Sequence, residues 1–310
     1  MRTDRARSGY VLLTVIAVCV LMVTLLSVLA NRSLSRGLEA ADAQRSLQQR
    51  WGAQTLERAL MAQAPKLFEE RAELAQARNP SQPPEPYYRA AITLGGVTFD
   101  VLLGDEDAKV DLNALYHYAG QAQTNRCLGD LLDFGSNRCV RLRPAIEPRM
   151  DSRSSLTSDE ELEAEMDPPK AFRSWGEVFE LPMLTSTYGS TAALPNATTG
   201  MTCWGSGQLN FQRASDQAIL AVAGAVIQDG AARDLLGRYR RSPTATLPML
   251  LQAEVSDRED RETLARLMSQ SSTSFSVWID ASTQGRKSLR RFSVQSRDRE
   301  GDIRSARFEF

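Results

Sequence analysis

The sequence predicts an α+β protein in which a long N-terminal helix lies on an antiparallel sheet and a helical insertion splits that sheet in sequence. Three observations predict it. An uncharged apolar run opens the chain and passes into hydrophobics at helical spacing. Strand-like alternation appears at two places, 87–109 and 274–310, far apart along the chain. Between them, 110–273 carries helix-start signals and no strand pattern. Long helix, split sheet and insertion then pack as layers in the most economical way.

Composition bounds the function. The chain has 310 residues, 42% of them hydrophobic, and a formal net charge of −1. That is enough apolar material for about two folded units, and it argues against wholesale disorder. Near-neutral charge removes the broad electrostatic case for nucleic-acid binding, which rests on a basic excess. The single histidine, His117, excludes a multi-histidine zinc site and leaves one candidate for any histidine-based mechanism.

Tyr10 to Ala30 carries no charge. At about 1.5 Å per residue this helix spans roughly 30 Å, the thickness of a bilayer's hydrocarbon core. Arg2, Arg5 and Arg7 precede it, opposed only by Asp4. Positive charge resists translocation, so this end is expected in the cytoplasm and the remainder across the membrane. Three readings compete. A secretory signal would be cut after the small residue Ala30, although its apolar region normally runs only about 7–15 residues. A signal anchor would stay uncut. A basic leader, residues 1–9, would be cut after Gly9, leaving 10–30 as the transmembrane helix.

The helical pattern continues through 31–78, with Leu34, Leu38 and Ala41, then Leu56, Leu60 and Ala64, at helical spacing. Gly37 and Gly52 weaken it, Pro65 predicts a break or kink, and the proline-rich 79–86 ends it. A hairpin follows, Ala91–Leu94 and Val97–Leu103 around Gly95 and Gly96, a pair that tolerates the positive φ of hairpin turns. In the insertion, Ser174 with Glu177 and Ser256 with Glu259 have capping-box spacing, and Ser215 starts an apolar helix. Phe275, Val277, Ile279 and Ala281 then alternate with Ser276, Trp278 and Asp280 as a half-buried strand. Phe292 and Val294 mark another strand and Ile303 to Phe310 a last one, with turns near Gln284–Gly285 and Glu300–Gly301.

Several segments carry a family resemblance. The basic leader ending in Gly9 before a membrane helix resembles that of type IV prepilins and type II secretion pseudopilins. Leu103 to Leu115 (LGDEDAKVDLNAL), Phe172 to Leu181 (FRSWGEVFEL), Gly207 to Ala214 (GQLNFQRA) and Ser274 to Ala281 (SFSVWIDA), followed by Gly285, Arg286 and Arg291, resemble, in order, motifs of the type II secretion minor pseudopilins of the protein K family. Ala108 stands where that family usually has Gly, and Gln212 and Arg213 replace Asn-Thr. The resemblance implies a pseudopilin fold with an inserted all-helical, SAM-like domain. It also implies cleavage after Gly9 by a prepilin peptidase and methylation of Tyr10. Most of the superfamily carries Glu at the fifth mature position, here Thr14. A buried carboxylate without its partner amine is expensive, so a subunit lacking it suits the distal tip rather than repeated positions along a filament.

The resemblance further implies a non-enzymatic subunit of the bacterial inner membrane, single-pass, with a cytoplasmic N-terminus and a periplasmic head. Its expected partners are the minor pseudopilins I and J, then H and the major pseudopilin G. Its expected task is to help start pseudopilus assembly and export folded proteins across the outer membrane. Two alternatives stay open, a minor pilin of a type IV pilus and a membrane-anchored periplasmic enzyme.

Candidate sites carry plainer readings beside the functional ones. Cys19 is apolar filler in the membrane segment, whereas Cys127, Cys139 and Cys203 would face the oxidising periplasm. Cys127 and Cys139 bracket a short loop and are the expected disulfide, worth on the order of 3 kcal/mol. Of the acidic run 151–167, Asp159, Glu160 and Glu163 are the candidate calcium ligands, against a solvated helix start; calcium stabilisation is known within the family it resembles, and no other cofactor is expected. His117, between Tyr116 and Tyr118, is expected in aromatic packing. Asp105, Glu106 and Asp107 could be read as paired catalytic acids, but three neighbours at a strand end are expected in a solvated turn. Arg238, Arg240 and Arg241 beside Tyr239 are expected at a protein contact or a solvated helix end rather than on phosphate. Asn196 matches a glycosylation sequon.

Overall fold

The computed structural model describes residues 4–78, 85–132, 140–144, 171–180, 182–183, 198–242, 245–283, 286–297 and 303–309. It divides into two compact units, residues 1–54 and 55–310. Helix α1, Asp4–Arg78, contributes to both.

In the first unit α1 is helical throughout, and every large apolar side chain from Val11 to Leu29 is exposed. In the second unit α1 runs through Pro65 without ending there. The break expected from the sequence is absent. Proline in a helix interior costs about 3 kcal/mol, and Met61, Ala64 and Phe68, buried on both sides of Pro65, offset it.

The sheet has five strands in the order β1 (Tyr87–Leu94), β2 (Val97–Asp105), β7 (Ser274–Thr283), β8 (Arg286–Arg297) and β9 (Ile303–Glu309), all antiparallel. β1 and β2 join through Gly95 and Gly96, whose φ of 58° and 80° is the positive pair a two-residue hairpin turn requires. β2 and β7 are neighbours although the whole insertion lies between them in sequence.

Strand alternation sorts the sheet into two faces. Val101 faces Ile279, and Leu103 faces Val277, all buried on the side that receives α1. There Phe68 stacks on Phe275 at 5.7 Å and tilts against Tyr88 at 5.2 Å. On the other face Trp278, Phe292 and Phe308 stand side by side across β7, β8 and β9. Trp204 of the insertion packs onto Phe292 at 5.1 Å and Phe308 at 6.1 Å.

The insertion begins with a single 3₁₀ turn, Glu106–Ala108, and β3, Val110–Asp111. Helix α2, Leu112–Leu132, bends at Gly120, whose φ is 78°. Further helices among the described residues are α3 (Trp175–Val178), α4 (Asp216–Val226), α5 (Asp229–Arg241), α6 (Leu247–Glu254) and α7 (Arg258–Leu267). They enclose one core that includes Leu112, Leu115, Leu128, Phe172, Leu209, Ile219 and Leu264. Glu177 accepts from the Ser174 amide at 3.1 Å, and Ser215 caps α4 by accepting from the Ala218 amide, as the sequence predicts. The cap of α7 is Asp257, not Ser256: its carboxylate accepts from the amides of Glu259 and Asp260, serving more free N–H groups than a hydroxyl one residue earlier.

Two parallel bridges were not expected in this helical stretch. β3 pairs with β4 (Met201–Thr202), and β5 (Leu209–Asn210) pairs with β6 (Met268–Ser269). Two residues are too few to show a period, and each partner is remote in sequence.

Candidate functional site

Two features stand apart chemically, each within its own unit. The first is the apolar segment of α1. Among the described residues α1 is the helix long and apolar enough to cross a membrane. Gly9 and Tyr10, the expected processing site, fall within it. Thr14 turns its hydroxyl onto its own helix, donating to the Val11 carbonyl at 2.8 Å. A hydroxyl satisfied in this way is tolerable in an apolar surrounding, whereas a carboxylate there would need a cation.

The second feature is a joint of carboxylates where the insertion leaves and rejoins the sheet. The sequence places Asp105, Glu106 and Asp107 in a solvated turn, and the structure corrects this: they are 0%, 3% and 1% exposed. Asp105 ends β2, and its Oδ1 accepts from the Asp107 amide at 3.1 Å, which closes the 3₁₀ turn. Its Oδ2 accepts from Arg213 Nη1 at 3.0 Å and Ser272 Oγ at 2.8 Å. Burial raises the Asp105 carboxyl more than Ser272 and the Arg213 charge lower it.

Glu106 accepts from Lys109 Nζ at 2.7 Å and from the Ser276 hydroxyl on β7. Burial alone would raise its carboxyl, but the Lys109 charge and the hydrogen bonds from Lys109, Ser276 and Thr202 together hold it below the usual carboxylate range. Asp107 Oδ1 accepts from the Ser206 amide at 2.8 Å. Its Oδ2 accepts from the amides of Thr273 and Ser274, at 2.7 Å and 3.0 Å, and from Thr273 Oγ1 at 3.3 Å. Burial first, and the Asp105 charge second, push Asp107 up to about 7.

Glycines let these groups approach. A Cβ on Gly104 would sit 2.9 Å from Ser276 Oγ, and one on Gly205 would sit 2.8 Å from Asp111 Oδ2. Asp111 caps α2 by accepting from the Ala114 amide at 2.9 Å. Two residues along, Asn113 ties three stretches together: Oδ1 accepts from the Phe172 amide at 2.7 Å, and Nδ2 donates to the carbonyls of Phe172 and Cys203 at 3.2 Å and 2.9 Å. Asn210 donates to Ser272 Oγ at 2.8 Å. The resembling segments 103–115, 172–181, 207–214 and 274–281 therefore meet at one place, where their polar residues fasten backbone to backbone. The donors and acceptors described there are spent on one another, which suits a structural joint better than catalysis.

A third polar contact escaped the sequence. Glu57 of α1, 2% exposed, faces Arg291 Nε at 2.9 Å and Arg307 Nε at 2.6 Å. No local signal marks it, because the partners lie on β8 and β9 at the other end of the chain.

The other expected residues fall as follows. Cys127 is a free buried thiol on α2, pushed up to about 12 by burial and by the Asp130 charge; Cys139, its expected disulfide partner, lies outside the described residues. Cys203 is a free buried thiol, raised first by burial. Asp159, Glu160, Glu163 and Asn196 also lie outside the described residues. The ring of His117 meets Tyr118 edge-on at 4.7 Å, and Tyr116 meets Phe172 at 5.2 Å. Arg238 pairs with Glu254 and Arg240 with Asp216, while Arg241 donates to the Gly237 carbonyl; Tyr239 is buried.

No protein-family model matches the sequence, and no curated protein matches it. Among solved structures, the chain is similar to one from the GspK–GspI–GspJ complex of the enterotoxigenic Escherichia coli type 2 secretion system. Identity is 15% and the TM-score 0.44, over 88% of this chain and 99% of that one.

Proposed function

We propose that this chain is a minor pseudopilin of the protein K type, placed at the tip of a type II secretion pseudopilus. The observation that carries the proposal is the N-terminal segment: a basic leader ending in Gly9, then an exposed apolar helix with Thr14 in place of the usual acid. On this reading a prepilin peptidase cuts after Gly9 and Tyr10 becomes the methylated first residue. The helix from Val11 onward anchors the chain in the inner membrane and then buries its apolar side chains against the helices of other pseudopilins. Thr14 carries no negative charge, so it neutralises no neighbouring N-terminal amine, and a position with no subunit beyond it is the least costly one.

The head then does mechanical work. Its helical insertion is bulky enough to hinder stacking of a further subunit above it, and the carboxylate joint fastens that insertion to the sheet so that load on one reaches the other. No step of this role requires an enzymatic group. The I and J minor pseudopilins are the immediate partners, with H and the major pseudopilin G below. Calcium held by Asp159, Glu160 and Glu163 belongs to the same reading.

Co-purification from gently solubilised native membranes tests it. Recovery of secretion-system minor pseudopilins supports the proposal. Recovery of type IV pilus subunits instead would transfer the chain to the pilus, since the leader is common to both.

A further inference from the structure

Backbone N–H and C=O groups seek partners, and a strand at the edge of a sheet leaves half of its own unpaired. Among the described residues no strand pairs with the far side of β9, the last in the order β1-β2-β7-β8-β9. The ladder shows which groups are left. The Arg297 amide donates to the Thr273 carbonyl at 3.0 Å, one step beyond the facing pair Ser274 and Ser296. Direction alternates along an antiparallel strand, so Arg297 and Gln295 give their backbone groups to β7, whereas Ser296, Val294 and Phe292 turn theirs to β9. Their partners there are Arg304, Ala306 and Phe308. The amides and carbonyls of Ile303, Ser305 and Arg307 therefore point to the open side.

Side chains reach that edge on both faces. On the outer face the aromatic row runs from Trp278 through Phe292 to Phe308, the last two rings 6.0 Å apart, and it stops at Phe308, which is 37% exposed. On the face that receives α1, Glu57 lies between Arg291 and Arg307, one buried carboxylate for two guanidiniums. The Arg307 side chain reaches Glu57 through Nε and is 46% exposed, so one positive charge is left unbalanced beside the outward backbone groups. The surrounding strands add to it: β8 carries five basic residues and β9 two, against one acid, Glu309. The opposite edge differs. On β1, Arg71 covers the Tyr88 ring at 4.5 Å and holds the Tyr87 carbonyl at 2.7 Å, and Arg89 covers the Tyr87 ring at 5.2 Å.

We propose that β9 is a docking edge for an extended segment of another protein, one that alternates acidic with apolar residues. Such a segment adds a strand to the five-stranded sheet. Its backbone pairs with the open groups of Ile303, Ser305 and Arg307, and a carboxylate meets the Arg307 guanidinium. The next residue, on the other face, carries the apolar row past Phe308. The pleat dictates the alternation, because Arg307 and Phe308 are neighbours in the chain and point to opposite faces. A second copy of β9 is a poor occupant. It would bring another Arg304 and Arg307 to an edge that already carries them, and like charges facing across strands repel.

Synthetic heptapeptides added to the full chain in detergent micelles test this. One alternates glutamate with valine and phenylalanine, and its twin carries lysine in place of every glutamate. Fluorescence anisotropy of the labelled peptide reads affinity, and amide hydrogen exchange reads where it binds. The acidic peptide is expected to bind about tenfold tighter than its twin, with the difference shrinking at high salt. It is also expected to slow exchange in 303–309 and to leave 87–94 unchanged. Ser305→Pro deletes an outward N–H that the sheet itself does not use, and is expected to abolish binding while β2 and β7 stay protected. Arg307→Gln is expected to erase the preference for the acidic peptide, and Arg307→Lys to keep most of it. Equal binding of the twins, or unchanged exchange in 303–309, would overturn the inference on the unmodified chain, whether or not the variants fold. Undiminished binding by folded Ser305→Pro would overturn it as well. Slowing of 303–309 that grows with the concentration of the chain alone would give the edge to a second copy and overturn it too.

Discussion

Replacing Asn113 with alanine removes the side chain that ties α2 to the stretches around Phe172 and Cys203. Asn113 is 4% exposed, so water cannot take its place at the Phe172 amide or at the two carbonyls it serves. A buried backbone group that loses its partner costs about 1–3 kcal/mol, with carbonyls toward the lower end because a second lone pair remains. Three such groups sum to about 4 kcal/mol. For a unit of this size each kcal/mol moves the melting temperature by about 2–4 °C, so the expected loss is on the order of 10 °C. Asn113→Asp keeps the acceptor for Phe172 N but presents oxygen to two carbonyl oxygens and buries a charge, so it is expected to be at least as damaging. Thermal unfolding of the full chain in detergent, followed by circular dichroism and tryptophan fluorescence, measures both. A melting temperature for Asn113→Ala within about 2 °C of the parent would refute the account of this asparagine as a clamp.

Glu57→Ala leaves Arg291, 14% exposed, without its carboxylate and releases Arg307 as well. A loss of about 3 kcal/mol is expected in urea unfolding; less than 1 kcal/mol would show that the pair does not hold α1 to the sheet. Gly104→Ala forces a methyl to within 2.9 Å of Ser276 Oγ, which Glu106 holds in place. It is expected to cost about 1–3 kcal/mol by the same assay, while alanine at Gly37, where an added Cβ meets nothing within 4 Å, is expected to cost nothing. Gly9→Ala is expected to leave the precursor uncleaved on immunoblots of membrane fractions; normal processing would count against the leader.

The parts of the fold that were legible in the sequence are those encoded locally. The hairpin at Gly95–Gly96, the alternation of Phe275 to Ala281 and the cap at Ser215 each depend on neighbours within a few residues. Pro65 misled because its cost is local, whereas the burial that offsets it, at Met61, Ala64 and Phe68, comes from packing. Asp105 to Asp107 misled for the same reason. Three consecutive acids are ordinarily hydrated, and what buries these is a set of donors from 206 to 276 that no window of sequence contains. The motif residues at the joint were legible as a resemblance, but their structural duty was not, because it consists of bonds between segments up to 170 residues apart. Glu57 was invisible altogether, as its two arginines lie on the last two strands.

The central claim is that the chain is cut at Gly9 and works as an assembled subunit with Tyr10 at its head. Mass spectrometry of the N-terminal peptide from protein extracted from native membranes tests it most directly. The account predicts a peptide that begins at methylated Tyr10. A peptide that begins at Asn31, as after a secretory cut, or one that retains Met1 would contradict it.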